Sequence, residues 1–226
     1  LVWAQNPNNT RLVKIIKGIF DSNQVLRRGK WFTPEKPQPA STKQTRDISE
    51  LETIVGKQWL STAPCILDTY AYYMNPEVMN KDGSQWLPRP AAVALPQSTV
   101  EVQEIMRFCS ESQYMAKPLS TGFHTAAAAS NDKVIILDMK RMNRIVEIDV
   151  KNQIAVIEPY VRAIDLQTEI IKQGLNCHIV SSGANHSLLA SHAAAWGYGV
   201  SGAATSFSGR NLLGVEWVLP TGEVIT

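Results

Sequence analysis

One histidine sits in a run stripped of bulk: Ser120-Thr121-Gly122-Phe123-His124-Thr125, followed by four alanines. A second stretch of the same kind spans 181–209, SSGANHSLLASHAAAWGYGVSGAATSFSG. Small side chains let backbone N–H groups come close to a ligand, and such groups suit the oxygens of a phosphate. Two such loops carried on one sheet could hold a pyrophosphate between them. The same composition also suits tight packing of helices against loops, and composition alone leaves both open.

His178, His186 and His192 are the remaining histidines. Their spacing fits no metal motif, and no acidic or thiolate ligand accompanies them, so no metal is expected. Trp196 and Tyr198, set among glycines, could line a ligand face or pack on a sheet. Cys65, Cys109 and Cys177 are odd in number and far apart, with no CxxC spacing. They read as buried thiols of a reducing compartment, which places the protein in the cytoplasm.

The elements that must carry these loops show in the pattern of apolar residues. The 226 residues suffice for one large domain or two small ones, and 44% apolar with 19% charged residues fits a globular chain. A net charge of +2 with scattered basic residues lacks the basic patch and interleaved aromatics of a nucleic-acid binder. No apolar run approaches the roughly 20 residues of a membrane-spanning helix. The chain begins without methionine and shows no signal peptide.

Residues 1–45 form a separate region. Leu12, Val13, Ile15, Ile16, Ile19 and Phe20 mark a short amphipathic helix, and the proline-containing stretch after it reads as an extended arm. That arm would lie on its own domain or grip a neighbouring subunit. Residues 46–226 form the main domain. A helix is expected over 47–61, with Ile48, Leu51, Ile54 and Val55 on one face and Gly56 as a stop. Ala91–Leu95 reads as a buried strand, and Ser98 with Glu101 as a capping box opening a helix through Cys109. Strands follow at 114–120, 133–139, 144–150 and 154–159, then a helix at 165–173 stopped by Gly174, and strand–turn–strand in 214–226. The order implies an α+β fold with helices packed on a sheet, without the βαβ series of a dinucleotide-binding sheet.

Five pieces in this order resemble one family: RPAAVALPQSTVEVQEIMRFCSES, KPLSTGFHT, VIILDMKRMNRIVEID, IAVIEPYVRAIDLQTEIIKQGL and NLLGVEWVLPTGEVI. From about Ile54 to Thr226 the chain is similar to the flavin-binding domain of the vanillyl-alcohol oxidase / p-cresol methylhydroxylase superfamily, the FAD-linked oxidases. The resemblance implies two small α+β subdomains with FAD between them. It places Ser120, Thr121, Gly122, Phe123, His124 and Thr125 on the loop that cradles the FAD pyrophosphate, and Asn185, His186, Ser187, Ala190 and Ser191 along the cofactor on the second loop. His124 falls where some members bond a histidine covalently to the flavin ring. A histidine hydrogen-bonded to phosphate or backbone is the other reading of that position.

The implied activity is FAD-dependent oxidation of an alcohol, 2-hydroxy acid or alkylphenol by hydride transfer to the flavin. No catalytic residue is assigned, because family members supply them from a region beyond position 226. A small-molecule substrate, an oligomer, and a further chain or C-terminal half completing the flavin domain are therefore expected. The family pattern is broken at Tyr160, which replaces a glycine, and at Leu189-Ala190-Ser191, which replace Gly-Gly-Asn. These bulkier residues motivate a second reading, a non-catalytic assembly subunit that kept the fold and lost the cofactor.

Overall fold

The structure, a computed structural model, describes residues 45–71, 87–122, 129–179, 183–193 and 208–226. The helix expected within 11–20 and the arm through residue 44 lie outside them. The described residues gather into two α+β bodies, each with its own core.

The first body is built on a four-stranded sheet. Its strands are β1 (Leu60–Ser61), β2 (Ala92–Ala94), β3 (Met115–Leu119) and β4 (Val134–Asp138), in the spatial order β1-β2-β4-β3. β2 and β3 both run parallel to β4, while β1 is antiparallel to β2. All five residues of β4 are buried, as a continuous apolar run in the middle of a sheet covered on both faces should be. Alternation along the strands feeds two cores. Ala92, Ala94, Ile135 and Leu137 face one side, and Val93, Met115, Val134 and Ile136 the other.

Helix α1 (Glu52–Val55) follows a turn of 3-10 helix at Ile48–Leu51 that Asp47 caps. The expected helix therefore ends at Gly56, whose φ of 88° is the left-handed region that an L side chain resists. Helix α2 (Pro64–Thr69) opens on Pro64 and buries Leu67 in the second core. Helix α3 (Thr99–Glu111) links β2 to β3 and buries Ile105, Met106, Phe108 and Cys109 against the first core. Its expected capping box is only half formed. Ser98 Oγ accepts from the Glu101 amide at 3.2 Å, but the Glu101 carboxylate accepts from the Gln97 amide, one residue before the cap.

The second body follows directly. β5 (Ile145–Asp149) and β6 (Ile154–Ile157) form an antiparallel hairpin with a bulge between Ile145 and Glu147. Helix α4 (Ala163–Ile171) and the short helix α5 (Leu188–Ala193) close it, around a core of Val161, Ala163, Leu166, Ile170 and Leu188. The inner hairpin residues Ile145, Ile148, Ala155 and Ile157 pack on this core. Val146, Ile154 and Val156 point outward and stay exposed, so the apolar β6 run is covered on one side only. α4 begins two residues earlier than expected because the Asp165 carboxylate accepts from the Arg162 amide at 3.3 Å and holds its first turn.

A last hairpin, β7 (Trp217–Val218) with β8 (Val224–Ile225), returns to the first body. Gln103 on α3 donates to the Gly222 carbonyl at 2.7 Å, and Thr99 to Glu216 at 2.6 Å. None of the three cysteines is joined in a disulfide. Cys109 is buried and Cys177 partly so, but Cys65 is exposed on α2, contrary to the expectation of three buried thiols.

β4 holds both cores of the first body. Replacing the fully buried Ile135 with Ala should cost about 2–5 kcal/mol, from lost transfer energy and the cavity left behind. Urea denaturation followed by far-ultraviolet circular dichroism will show it as a lower midpoint with an unchanged slope.

Candidate functional site

The two small-residue stretches, 66 positions apart at their contact, meet at the seam between the bodies. β3 ends at Leu119 and delivers Ser120, Thr121 and Gly122 there. β6 ends at Ile157 and delivers Glu158 and Pro159. The Pro159 carbonyl accepts two hydroxyl hydrogen bonds, from Ser120 at 3.1 Å and from Ser187 at 2.6 Å. Thr121 Oγ1 accepts from the Ser187 amide at 3.2 Å. Three separated segments are thus tied at one carbonyl. Proline has no N–H to offer, but its carbonyl oxygen has two lone pairs and both are used.

Ser187 carries most of this junction. It is 1% exposed, its hydroxyl accepts from the Ala190 amide at 3.2 Å in the manner of a helix cap, and its carbonyl accepts from the Ser191 hydroxyl at 2.7 Å. Backbone bonds seat the strand before it: the Ala163 amide donates to His186, the Ile164 amide to Ala184, and the Leu188 amide to Val161. Gly122 has φ 70°, and among the described residues a Cβ built there would meet Leu119 Cδ1 alone, at 3.6 Å. The chain turns there in the left-handed region that favours glycine.

Of the expected site residues, Ser120, Thr121, Gly122, His186, Ser187 and Ser191 are gathered at or beside this junction. Asn185 and Ala190 belong to the same segment and are exposed. Phe123, His124 and Thr125 lie outside the described residues, as do Trp196 and Tyr198. Pattern reading missed Pro159 as the common acceptor. Its only signal was its place after an apolar strand. Tyr160, flagged for adding bulk near the loops, packs against the core of the first body and donates its amide to Met142. Its ring is turned into the protein instead of between the loops. Leu189 is half-buried on α5.

The approach to Pro159 is braced by a buried carboxylate. Glu158 accepts from the Arg144 amide at 2.7 Å and from its guanidinium at 2.9 and 2.6 Å. Burial pushes the Glu158 carboxyl up, and the three Arg144 donors outweigh it and hold it below the usual range. Asp138, buried at the end of β4, accepts from the Tyr70 hydroxyl and from Lys140 Nζ, both at 2.7 Å. Burial, then the bond to Asp138, pushes the Tyr70 hydroxyl up to about 12. Arg162 is committed to Asp165 at 2.8 and 2.7 Å. The arginines flanking the junction are therefore spent on carboxylates, and the Ser120 and Ser187 hydroxyls and the Ser187 amide on the junction itself.

The histidines gather too. The His178 and His192 rings meet edge to face at 5.8 Å, and His192 Nδ1 bonds the Leu188 carbonyl at 2.8 Å. Among the described residues no three His, Cys, Asp or Glu side chains are grouped to hold a metal ion. Burial lowers the His186 pKa, against a hydrogen bond with the Gly183 backbone. Burial also lowers that of His192, aided by its histidine neighbours.

These features yield two expectations. Ser187→Ala should cost about 1–2 kcal/mol by loss of its capping role, read as a lower urea midpoint. For the buried histidines the folded pKa lies below the unfolded value of 6.5, so the unfolded chain binds more protons as the pH falls. Stability should hold above about pH 6.5 and decline below it, seen as a thermal midpoint lower at pH 5.5 than at pH 8.

Comparison with known proteins fits this geometry. An uncharacterized FAD-linked oxidoreductase of Mycobacterium tuberculosis is 29% identical over 179 residues, covering 76% of this chain and 36% of the relative. The glycolate oxidase subunit GlcD of Bacillus subtilis is 27% identical over 183 residues, 80% of this chain and 37% of the relative. The chain thus spans about a third of the length of these relatives. Among solved structures, p-cresol methylhydroxylase with substrate bound superposes with a TM-score of 0.63 at 21% identity, over 78% of this chain and 34% of that one. It shares the α+β fold described above. The model of the FAD binding domain matches residues 90–226, which contain both small-residue stretches and the Pro159 junction, and the chain belongs to that family.

Proposed function

We propose that this chain is the flavin-binding part of an FAD-dependent oxidoreductase that oxidises an alcohol, 2-hydroxy acid or alkylphenol. The observation that carries the reading is the convergence of Ser120 and Ser187 on the Pro159 carbonyl, with Thr121 bonded to the Ser187 amide, at the seam between the bodies. Ser120 to Thr125, with Asn185, His186, Ser187, Ala190 and Ser191, would hold the cofactor. The residues fit a dinucleotide. Gly122 turns with φ 70°, and among the described residues a Cβ there would meet Leu119 alone and the buried Nε2 of His186 has no hydrogen-bond partner. Bound there, FAD would supply a two-electron acceptor for substrate hydride. The described residues would seat it, with the flanking arginines already neutralised. The name of the Bacillus subtilis relative supports a 2-hydroxy acid as the substrate class.

A further polypeptide, as a C-terminal half or a separate chain, would complete the flavin domain and bring the substrate-facing groups. Two observations support it: the chain spans about a third of its relatives, and Val146, Ile154 and Val156 leave one hairpin face apolar and exposed. The free thiols, Cys65 exposed among them, favour a reducing compartment such as the cytoplasm.

Titrating the purified chain with FAD should quench flavin fluorescence at one equivalent. Acid precipitation should then leave the flavin in the supernatant, the result of a non-covalent site. Flavin that pellets with the protein and is released in His124→Ala would instead assign a covalent bond to His124. A colourless chain that takes up no flavin would support the assembly-subunit reading.

A further inference from the structure

His186 has a buried nitrogen that the fold leaves unused. The residue is 7% exposed, and among the described residues its Nε2 has no hydrogen-bond partner. A polar atom hidden in this way costs stability unless something outside the chain satisfies it. It stands one residue before Ser187, where the two small-residue stretches touch.

The tautomer decides what can satisfy it. The Gly183 backbone beside the ring favours its protonated form, as a carbonyl near a ring N–H does. Since Nε2 has no partner among the described residues, Nδ1 is the nitrogen that carries the proton toward it. A neutral imidazole with its proton on Nδ1 presents only a lone pair at Nε2. Burial opposes adding a second proton there. Nε2 is therefore an acceptor. It cannot serve a phosphate oxygen, which is also an acceptor, but it can receive a hydroxyl.

We propose that His186 Nε2 accepts a hydrogen bond from a sugar or ribityl hydroxyl of the bound flavin dinucleotide, beside the diphosphate. This rests on the reading of the seam as the FAD site and adds a division of labour to it. Amides and hydroxyls of the two stretches meet the phosphates, and one neutral imidazole reads the polyol next to them. The contact favours a ligand with hydroxyls flanking its diphosphate over a bare diphosphate.

Two substitutions isolate the nitrogen. His186→Asn keeps an N–H near the position of Nδ1 for the Gly183 carbonyl and deletes the acceptor, whereas His186→Gln can return an acceptor near the position of Nε2. With the full chain, the FAD dissociation constant should rise about tenfold in His186→Asn, the worth of one hydrogen bond, and recover largely in His186→Gln. Inorganic pyrophosphate, measured by competition, should bind wild type and His186→Asn alike. In wild type labelled with 15N-histidine, FAD should shift the His186 Nε2 resonance as its lone pair becomes engaged, and pyrophosphate should not. The proposal fails if His186→Asn binds FAD as wild type does. It fails equally if FAD and pyrophosphate weaken together, or if FAD binds and the Nε2 resonance does not move. Those results leave the FAD site standing. A wild-type chain that binds no FAD removes the site and the hydroxyl contact together.

Discussion

The Pro159 carbonyl is the constraint on which the site depends. Two serine hydroxyls from distant segments converge on it, and Thr121 adds a bond to the Ser187 amide. Each bond is worth about 1 kcal/mol net, so none is strong. Their effect is geometric. The end of β3, the end of β6 and the start of α5 are held in one place, and that place is the boundary between two cores. An acceptor on proline suits this role, because its ring limits the backbone and its nitrogen makes no competing demand.

Buried carboxylates stiffen the approaches. Glu158 clasps Arg144 directly before Pro159, and Asp138 gathers Tyr70 and Lys140 at the end of β4. Both would be costly to bury alone. Each is satisfied by donors from outside the small-residue stretches, Tyr70 and Lys140 for Asp138 and Arg144 for Glu158, so these strand ends are fixed without help from those stretches. The result is a junction that is locally polar and locally neutral.

Much of the scaffold was legible in one dimension. The all-apolar Val134–Leu137 run predicted a strand, and every residue of it is buried. Ser98 predicted the start of α3, and Gly56 the end of α1. Both are local rules, decided by a cap or a backbone angle within a few residues. The half-formed capping box was not legible, because the Glu101 carboxylate had two amides in reach and chose that of Gln97. The exposure of Val156 was hidden for another reason. An apolar residue reads as core whether or not anything covers it. Tyr160 misled in the same way, since its bulk was plain but its direction was not.

By itself, the order of residues determined the class of fold, the two stretches poor in side chains and the family they resemble, because periodicity, caps and small-residue runs are short-range properties. Tertiary structure alone decided that Thr121 and Ser187 touch, that Pro159 joins them, and that His186 hides an unpartnered nitrogen beside them. Those facts depend on which segments a sheet and a second core bring together across 28 to 66 residues, and no local rule reaches that far.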